Sequence, residues 1–228
     1  MQIAALIFPD IDQMDFTGPF EVLARLPDAK IHVIWKDMAP VRDSFGLLLT
    51  PTATIESAVP PWDVVLVPGG RGQLPLMDDE AVLAWLRSAA AQSRYILSVC
   101  TGALTLGAAG LLRGRRATTH WNSFHLLPHF GAIPEDARVV VDGNLVSAAG
   151  VSAGIDASLR LAAMLAGDEI ARRIQLEIQY APEPPFASGT PDQAAPSILK
   201  SSRERFSALS TKRLEAAKRA QARLRSGA

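Results

Sequence analysis

The sequence predicts an α/β fold: a mostly parallel central sheet with helices on both faces. Three observations predict it. Apolar runs of strand length recur at 2–8, 62–70 and 95–100, with little of the alternation that a half-exposed strand would show. Segments with helical apolar spacing lie between and after them. Two of the runs end in a glycine turn or pass straight into a helix, as parallel strands joined by crossover helices require.

In chain order, "QIAALIF" (2–8) is the first strand. "FTGPFEVLARL" (16–26) puts Phe16, Phe20, Leu23 and Ala24 on one helical face, with Thr17 as N-cap and Pro19 in the first turn. "KIHVIWK" (30–36) alternates and reads as a strand, and 41–55 as short strands with turns. "WDVVLVPGG" (62–70) is a buried strand closed by glycines. "DDEAVLAWLRSAAAQS" (78–93) is a helix opening on acids, which the helix dipole favours. "YILSVC" (95–100) is a further buried strand, and "TGALTLGAAGLL" a helix ending at Gly114. "ARVVVDGNLVSAAG" (137–150) is a hairpin with an Asp142-Gly143 turn signal, and 151–179 supplies one or two helices. A loop rich in proline and small residues (180–196) leads into one amphipathic helix, with Ile198, Leu199, Phe206, Leu209 and Leu214 as its apolar contacts. The organisation is one α/β domain over 1–180 and a C-terminal loop and helix extension over 181–228.

Composition narrows the function classes. The 228 residues are 48% hydrophobic and 20% charged with zero formal net charge, which suits a soluble globular protein and gives no global pull toward nucleic acid or membrane. One cysteine excludes an internal disulfide and fits a reducing compartment. The N-terminus lacks the basic start and cleavage site of a signal peptide, so the expected location is cytoplasmic. Nine of the 23 Lys/Arg fall in 196–228, read as a solvated helix lying on an acidic body.

The chemistry centres on Cys100. It closes a central strand, and Thr101-Gly102 must turn the chain at once into a helix. That is the geometry of a nucleophile elbow, at the strand ends where open α/β sheets bind ligands. A helix N-terminus aimed at sulfur can lower a thiol pKa from ~8.5 into the range ~3.5–7.5. "VPGG" ends the neighbouring strand, and Gly69 and Gly70 offer N–H donors with close backbone approach. "FPDIDQMDFTGP" supplies Asp10, Asp12 and Asp15 at the same sheet edge. Asp15 precedes the apolar helix face and points into the crevice. Asp10 and Asp12 read as loop carboxylates in water. A buried acid beside a thiolate keeps its proton, because adjacent anions repel. His125 and His129 read as surface or half-buried, while His120 can return to the crevice. Without a second cysteine or an HExxH pattern, no metal is expected, and no phosphate or dinucleotide fingerprint is present.

Together these residues resemble the ThiJ/PfpI superfamily, over "DFTGPFEVL", "VPGG", "SVCTGALTLGAAGLLRGRRATTHW" and "GIDASLRLAA". Within it the chain is most similar to the isonitrile (isocyanide) hydratase family, which shares Asp in the first motif, "CTG" at the cysteine and a tail like "YAPEPPFASGTPD". The resemblance implies a flavodoxin-like sandwich and a cofactor-free homodimer converting an isocyanide to an N-substituted formamide. It implies Cys100 as nucleophile through a thioimidate and Asp15 as general acid/base. Backbone N–H groups of Gly70 and Thr101 would position thiolate or substrate in an apolar pocket. One departure is Ala148-Ala149-Gly150-Val151-Ser152, where the hydratases carry a glycine run followed by Ile-Thr; it should lie near Cys100 and alter the pocket. Thr101 stands where the peptidase-like branch has histidine, which argues against proteolysis. The alternatives are a glyoxalase or deglycase acting on 2-oxoaldehydes, whose members tend to carry Glu in place of Asp15, and a ligand- or redox-sensing protein. A DNA-binding regulator would need two helix-turn-helix units, and only one helix follows residue 196.

Overall fold

The computed structural model describes residues 1–226. Its elements are β1 (Gln2–Leu6), α1 (Gln13–Leu23), β2 (Lys30–Trp35), β3 (Val41–Arg42), β4 (Leu48–Leu49), β5 (Ala53–Thr54), β6 (Trp62–Val67), α2 (Gln73–Leu76), α3 (Glu80–Ala91), β7 (Ser93–Val99) and α4 (Gly102–Ala108). There follow β8 (Arg116–Ala117), a 3-10 segment (Trp121–Phe130), β9 (Ile133–Pro134), β10 (Val139–Asp142), β11 (Leu145–Ala148), α5 (Ala153–Ala166), α6 (Asp168–Glu177) and α7 (Pro196–Ser226).

Seven strands form one sheet in the order β10-β11-β7-β6-β1-β2-β5. Every pairing is parallel except β10 with β11. The apolar runs become the three central strands because only a strand covered on both faces can bury every side chain; Ile3 to Phe8 and Val64 to Val67 are at most 1% exposed. α5 packs against both α1 and α6 in one helical group, and α4 packs with α3, α7 and the 3-10 segment in another. The fold is the flavodoxin-like α/β sandwich. No described helix is long and apolar enough to cross a membrane.

Several local expectations shift. α1 starts one turn early: Asp12 is its N-cap, accepting from the Met14 N–H at 3.3 Å. Thr17 instead donates to Gln13 Oε1, and Pro19 lies in the helix interior, buried against α5 beside Gly154. Ala24 is exposed at the C-cap. α4 stops at Ala108, well before Gly114. Gly110, at φ +82°, and the bonds Gly110 N–H to Gly107 O and Leu111 N–H to Leu106 O make a Schellman stop there. In the hairpin Asp142 pairs with Leu145, so the turn residues are Gly143 and Asn144. α2 had no periodic signal in its four residues.

α7 lies along the body. Ala216, Ala217 and Ala220 are fully buried, small enough to bring the helix close. Arg219 and Arg223 clasp Asp78 at 2.6 and 2.7 Å; burial works against that carboxylate, but the two arginines hold its pKa below the usual range. Ile198, expected as an apolar contact, is 52% exposed. The solvated-helix reading therefore fits one face only, because Arg213 is buried.

Candidate active site

Three adjacent strands deliver the site. β1 leads to Asp15, β6 to Gly69-Gly70 and β7 to Cys100, all at the carboxyl ends where a parallel sheet opens a crevice. Cys100 sits at φ +55°, a left-handed conformation that costs a non-glycine residue about 1–3 kcal/mol. Its neighbours fix that strained backbone. The Cys100 N–H donates to Ala148 O at 3.0 Å, and Thr119 Oγ1 donates to the Cys100 carbonyl at 2.7 Å. The side chain is thereby turned out of the strand, 6% exposed.

Asp15 is fully buried in the first turn of α1. Its Oδ2 accepts from the Gly69 N–H at 2.9 Å. Oδ1 is buried outside good hydrogen-bond geometry with any partner, though the Cys100 thiol is near enough to act on the carboxyl. Burial first, then the charge of Asp12, pushes the Asp15 pKa up to about 8 against the opposing pull of the Gly69 N–H, Cys100 and Arg213. Asp15 thus keeps its proton at neutral pH. Asp12, unlike the fully buried Asp15, lines the cavity that opens over Cys100, and burial raises its pKa too; it is not the water-exposed loop carboxylate that its position suggested.

Burial likewise pushes the Cys100 thiol well above its ordinary value, and the nearby Asp15 adds to the rise. The Thr101 N–H and Arg213 act the other way without prevailing. A lowered thiol pKa was the expectation from the helix N-terminus; desolvation outweighs it here. At rest the pair carries two protons.

Thr101 is 2% exposed, and its Oγ1 accepts from the Gly70 N–H at 3.2 Å. The Gly70 amide is therefore engaged within the corner. Gly69 is confined: a Cβ there would stand 2.5 Å from both the nitrogen and Oγ1 of Thr101, and 2.9 Å from Asp15 Oδ2. Gly69→Ala is expected to cost ~1–3 kcal/mol of stability by overpacking. If Asp15 and Cys100 carry a reaction, displacing Asp15 and the residue that follows Cys100 should also slow turnover at least about tenfold. Denaturant melts and initial rates measure the two effects.

A cavity of about 180 Å³ opens above Cys100. Val151, Phe206, Leu209 and Phe45 supply its apolar wall; Gly70, Thr101, His120 and Arg213 are among its polar lining. The 148–152 segment thus adjoins Cys100: the Ala148 carbonyl accepts from its N–H, and Val151 lines the same cavity. His120 caps the 3-10 segment with Nδ1 accepting from the Asn122 N–H at 3.3 Å. Burial, then the Arg213 charge, lowers its pKa to about 4, so the ring is neutral with its proton on Nε2. His125 is exposed and His129 half-buried. Among the described residues no cluster of His, Cys, Asp or Glu has metal-binding geometry.

Sequence reasoning missed Arg213 and Thr119. Arg213 Nη2 donates to Gly70 O at 2.7 Å and lies 3.4 Å from Thr101 Oγ1. The one available signal was its place on the stripe Phe206, Leu209, Arg213, Ala216, Ala217, Ala220, where a lone arginine breaks an otherwise apolar face. Thr119 lies in a polar run without distinctive spacing.

Comparison with known proteins agrees with this geometry. The DJ-1/PfpI family model matches residues 1–164. The isonitrile hydratase of Pseudomonas putida is 52% identical over 224 residues, covering 98% of each chain. A ThiJ/PfpI family protein from Pseudomonas syringae superposes with TM-score 0.93 at 39% identity, over 95% of this chain and 90% of that one. A cysteine-to-alanine mutant of a DJ-1 superfamily protein from Salmonella typhimurium superposes with TM-score 0.70 at 28% identity, over 79% of this chain and 98% of that one. With a cysteine elbow at the end of β7 and these matches along its length, the chain belongs to the DJ-1/PfpI family.

Proposed function

We propose that the protein is an isonitrile hydratase, a hydro-lyase that adds water to an isocyanide and releases an N-substituted formamide. The observation that carries this reading is a carboxyl that keeps its proton at neutral pH, set beside a thiol under a small, largely apolar cavity. The end-to-end similarity to the Pseudomonas putida isonitrile hydratase supports the same chemistry.

An isocyanide, R–N≡C, is weakly polar and reacts at its terminal carbon, which must gain both a nucleophile and a proton. Asp15 Oδ1 delivers its proton to that carbon. The sulfur of Cys100 bonds to it as the thiol proton passes to the vacated carboxylate. The product is the thioimidate R–N=CH–S–Cys100, with Asp15 protonated again. Asp15 gives its proton to the imidate nitrogen, and the resulting carboxylate takes a proton from the water that adds to the same carbon, giving R–NH–CH(OH)–S–Cys100. Collapse of that adduct expels the Cys100 thiolate, which recovers the hydroxyl proton, and leaves R–NH–CHO. The Thr101 and Gly70 amides hold the corner that aims the sulfur. Because the resting thiol is protonated, proton delivery to carbon precedes or accompanies sulfur attack.

Residues 1–180 are read as the catalytic α/β domain and 181–228 as an extension, of which Arg205, Phe206, Leu209 and Arg213 line the cavity. The reading carries with it a cytoplasmic, cofactor-free homodimer. Exposed Phe45, Leu47 and Leu48 around β4 are an apolar surface that a second copy would cover. Incubating the protein with a small alkyl or aryl isocyanide, and separately with methylglyoxal, tests the activity. Formamide formation is expected; turnover of methylglyoxal alone would sink the reading.

A further inference from the structure

We propose that Arg213, carried in on the C-terminal helix, is a positioning residue for the Cys100–Asp15 pair: it fixes the Gly70–Thr101 corner and sets an unneutralised positive charge beside it. The proposal deepens the hydratase reading and rests on it for the turnover measurements only.

The placement is unusual on energetic grounds. Arg213 is 5% exposed, whereas Arg71 and Arg205, which also line the cavity, are exposed. Burying a guanidinium costs several kcal/mol of desolvation unless ion pairs and hydrogen bonds recover it. Yet among the described residues Arg213 has no carboxylate within salt-bridge distance. Its partners are a neutral carbonyl, Gly70 O at 2.7 Å, and a neutral hydroxyl, Thr101 Oγ1 at 3.4 Å. Its Nε is buried without a protein partner. A helix anchor alone would be met at lower cost by methionine or leucine on this stripe.

The charge is therefore free to serve an anion that exists only part of the time. Turnover supplies two: the Asp15 carboxylate after it gives up its proton, and the Cys100 sulfur when the thiol is expelled. Arg213 acts on both groups, favouring the ionised form of each. The same side chain, through the Gly70 carbonyl and Thr101 hydroxyl, ties α7 to the loop after β6 and to the elbow after β7. One residue thus couples docking of the helix to the alignment of the sulfur.

The test needs no isocyanide in its main arm. Cys100 is the single cysteine, so iodoacetamide labelling across pH reports its ionisation unambiguously. In Arg213→Met, which keeps the reach and removes the charge, the labelling midpoint is expected to rise by about one pH unit, making labelling about tenfold slower at fixed pH. With isocyanide, kcat is expected to fall about ten- to a hundredfold with KM changed less than about threefold. Arg213→Lys keeps a charge without the fork; its midpoint should lie nearer the wild type while kcat still falls. Should Arg213→Met not fold, Arg213→Lys carries the test. A wild-type labelling profile in Arg213→Met, whatever its kcat, would overturn the proposal, as would full activity in Arg213→Lys. A shifted labelling profile in a protein that hydrates no isocyanide would instead refute the hydratase reading and leave Arg213 in its role.

Discussion

Cys100→Ala is expected to abolish formamide production, a loss of at least ~10³-fold, because no other group can form the covalent adduct. Folding should survive. The residue is 6% exposed, and trading its sulfhydryl for hydrogen leaves a small void worth about 1 kcal/mol. Intact-protein mass spectrometry gives the sharper check. Wild-type protein quenched during turnover should carry the whole mass of the isocyanide, because the first step is an addition with no leaving group. Cys100→Ala should carry none. Sustained formamide production by the alanine variant would exclude the thioimidate route.

Asp15→Asn is expected to lose activity and gain stability at once. Removing a general acid and base typically costs ~10²–10⁴-fold in rate. The wild-type kcat/KM should decline as pH rises through about 8, where Asp15 loses its proton. If thiolate formation limited the rate, activity would climb over the same range instead. Stability runs the other way. The folded-state pKa of Asp15 lies above its ordinary value of 3.8, so its contribution is intact below that value and is lost as pH rises to about 8. One proton taken up on folding corresponds to a slope of ~1.4 kcal/mol per pH unit between those limits. Asparagine can keep the Gly69 hydrogen bond and has no proton to lose. Asp15→Asn should therefore match the wild type near pH 4 and exceed it by a few kcal/mol at pH 7. Denaturant melts at several pH values would show whether the gap widens.

What could be read from the chain follows from the range of the interactions involved. Strand ends were legible because burial on both faces forces unbroken apolar runs, and the turn residues after them are local: Gly69 and Gly70 after β6, Thr101 and Gly102 after β7. The roles of Asp12 and Asp15 were harder. Apolar spacing starts at Phe16, while Gln13 and Met14 carry no periodic signal, so the cap at Asp12 and the first turn were placed too late. The thiol's raised pKa was beyond local reading, since desolvation by the assembled core sets it. Arg213 was hidden most deeply. Its burial depends on Gly70 and Thr101, 143 and 112 residues away, and by itself it is one of nine cations in a basic helix.

That separation has a consequence for how the protein comes into being. Asp15, Gly69 and Cys100 all leave the ribosome well before residue 196, where α7 begins. Chains are made at ~5–20 residues per second and tend to fold from the N-terminal end as units. The sheet and its elbow can therefore form on the nascent chain while Phe206, Leu209 and Arg213 are still unmade. During that interval the sulfur lies on an open shelf without the wall those residues provide. Formation of α7 turns the shelf into a chamber, so the chamber over the sulfur closes only after residues 206–213 have been made.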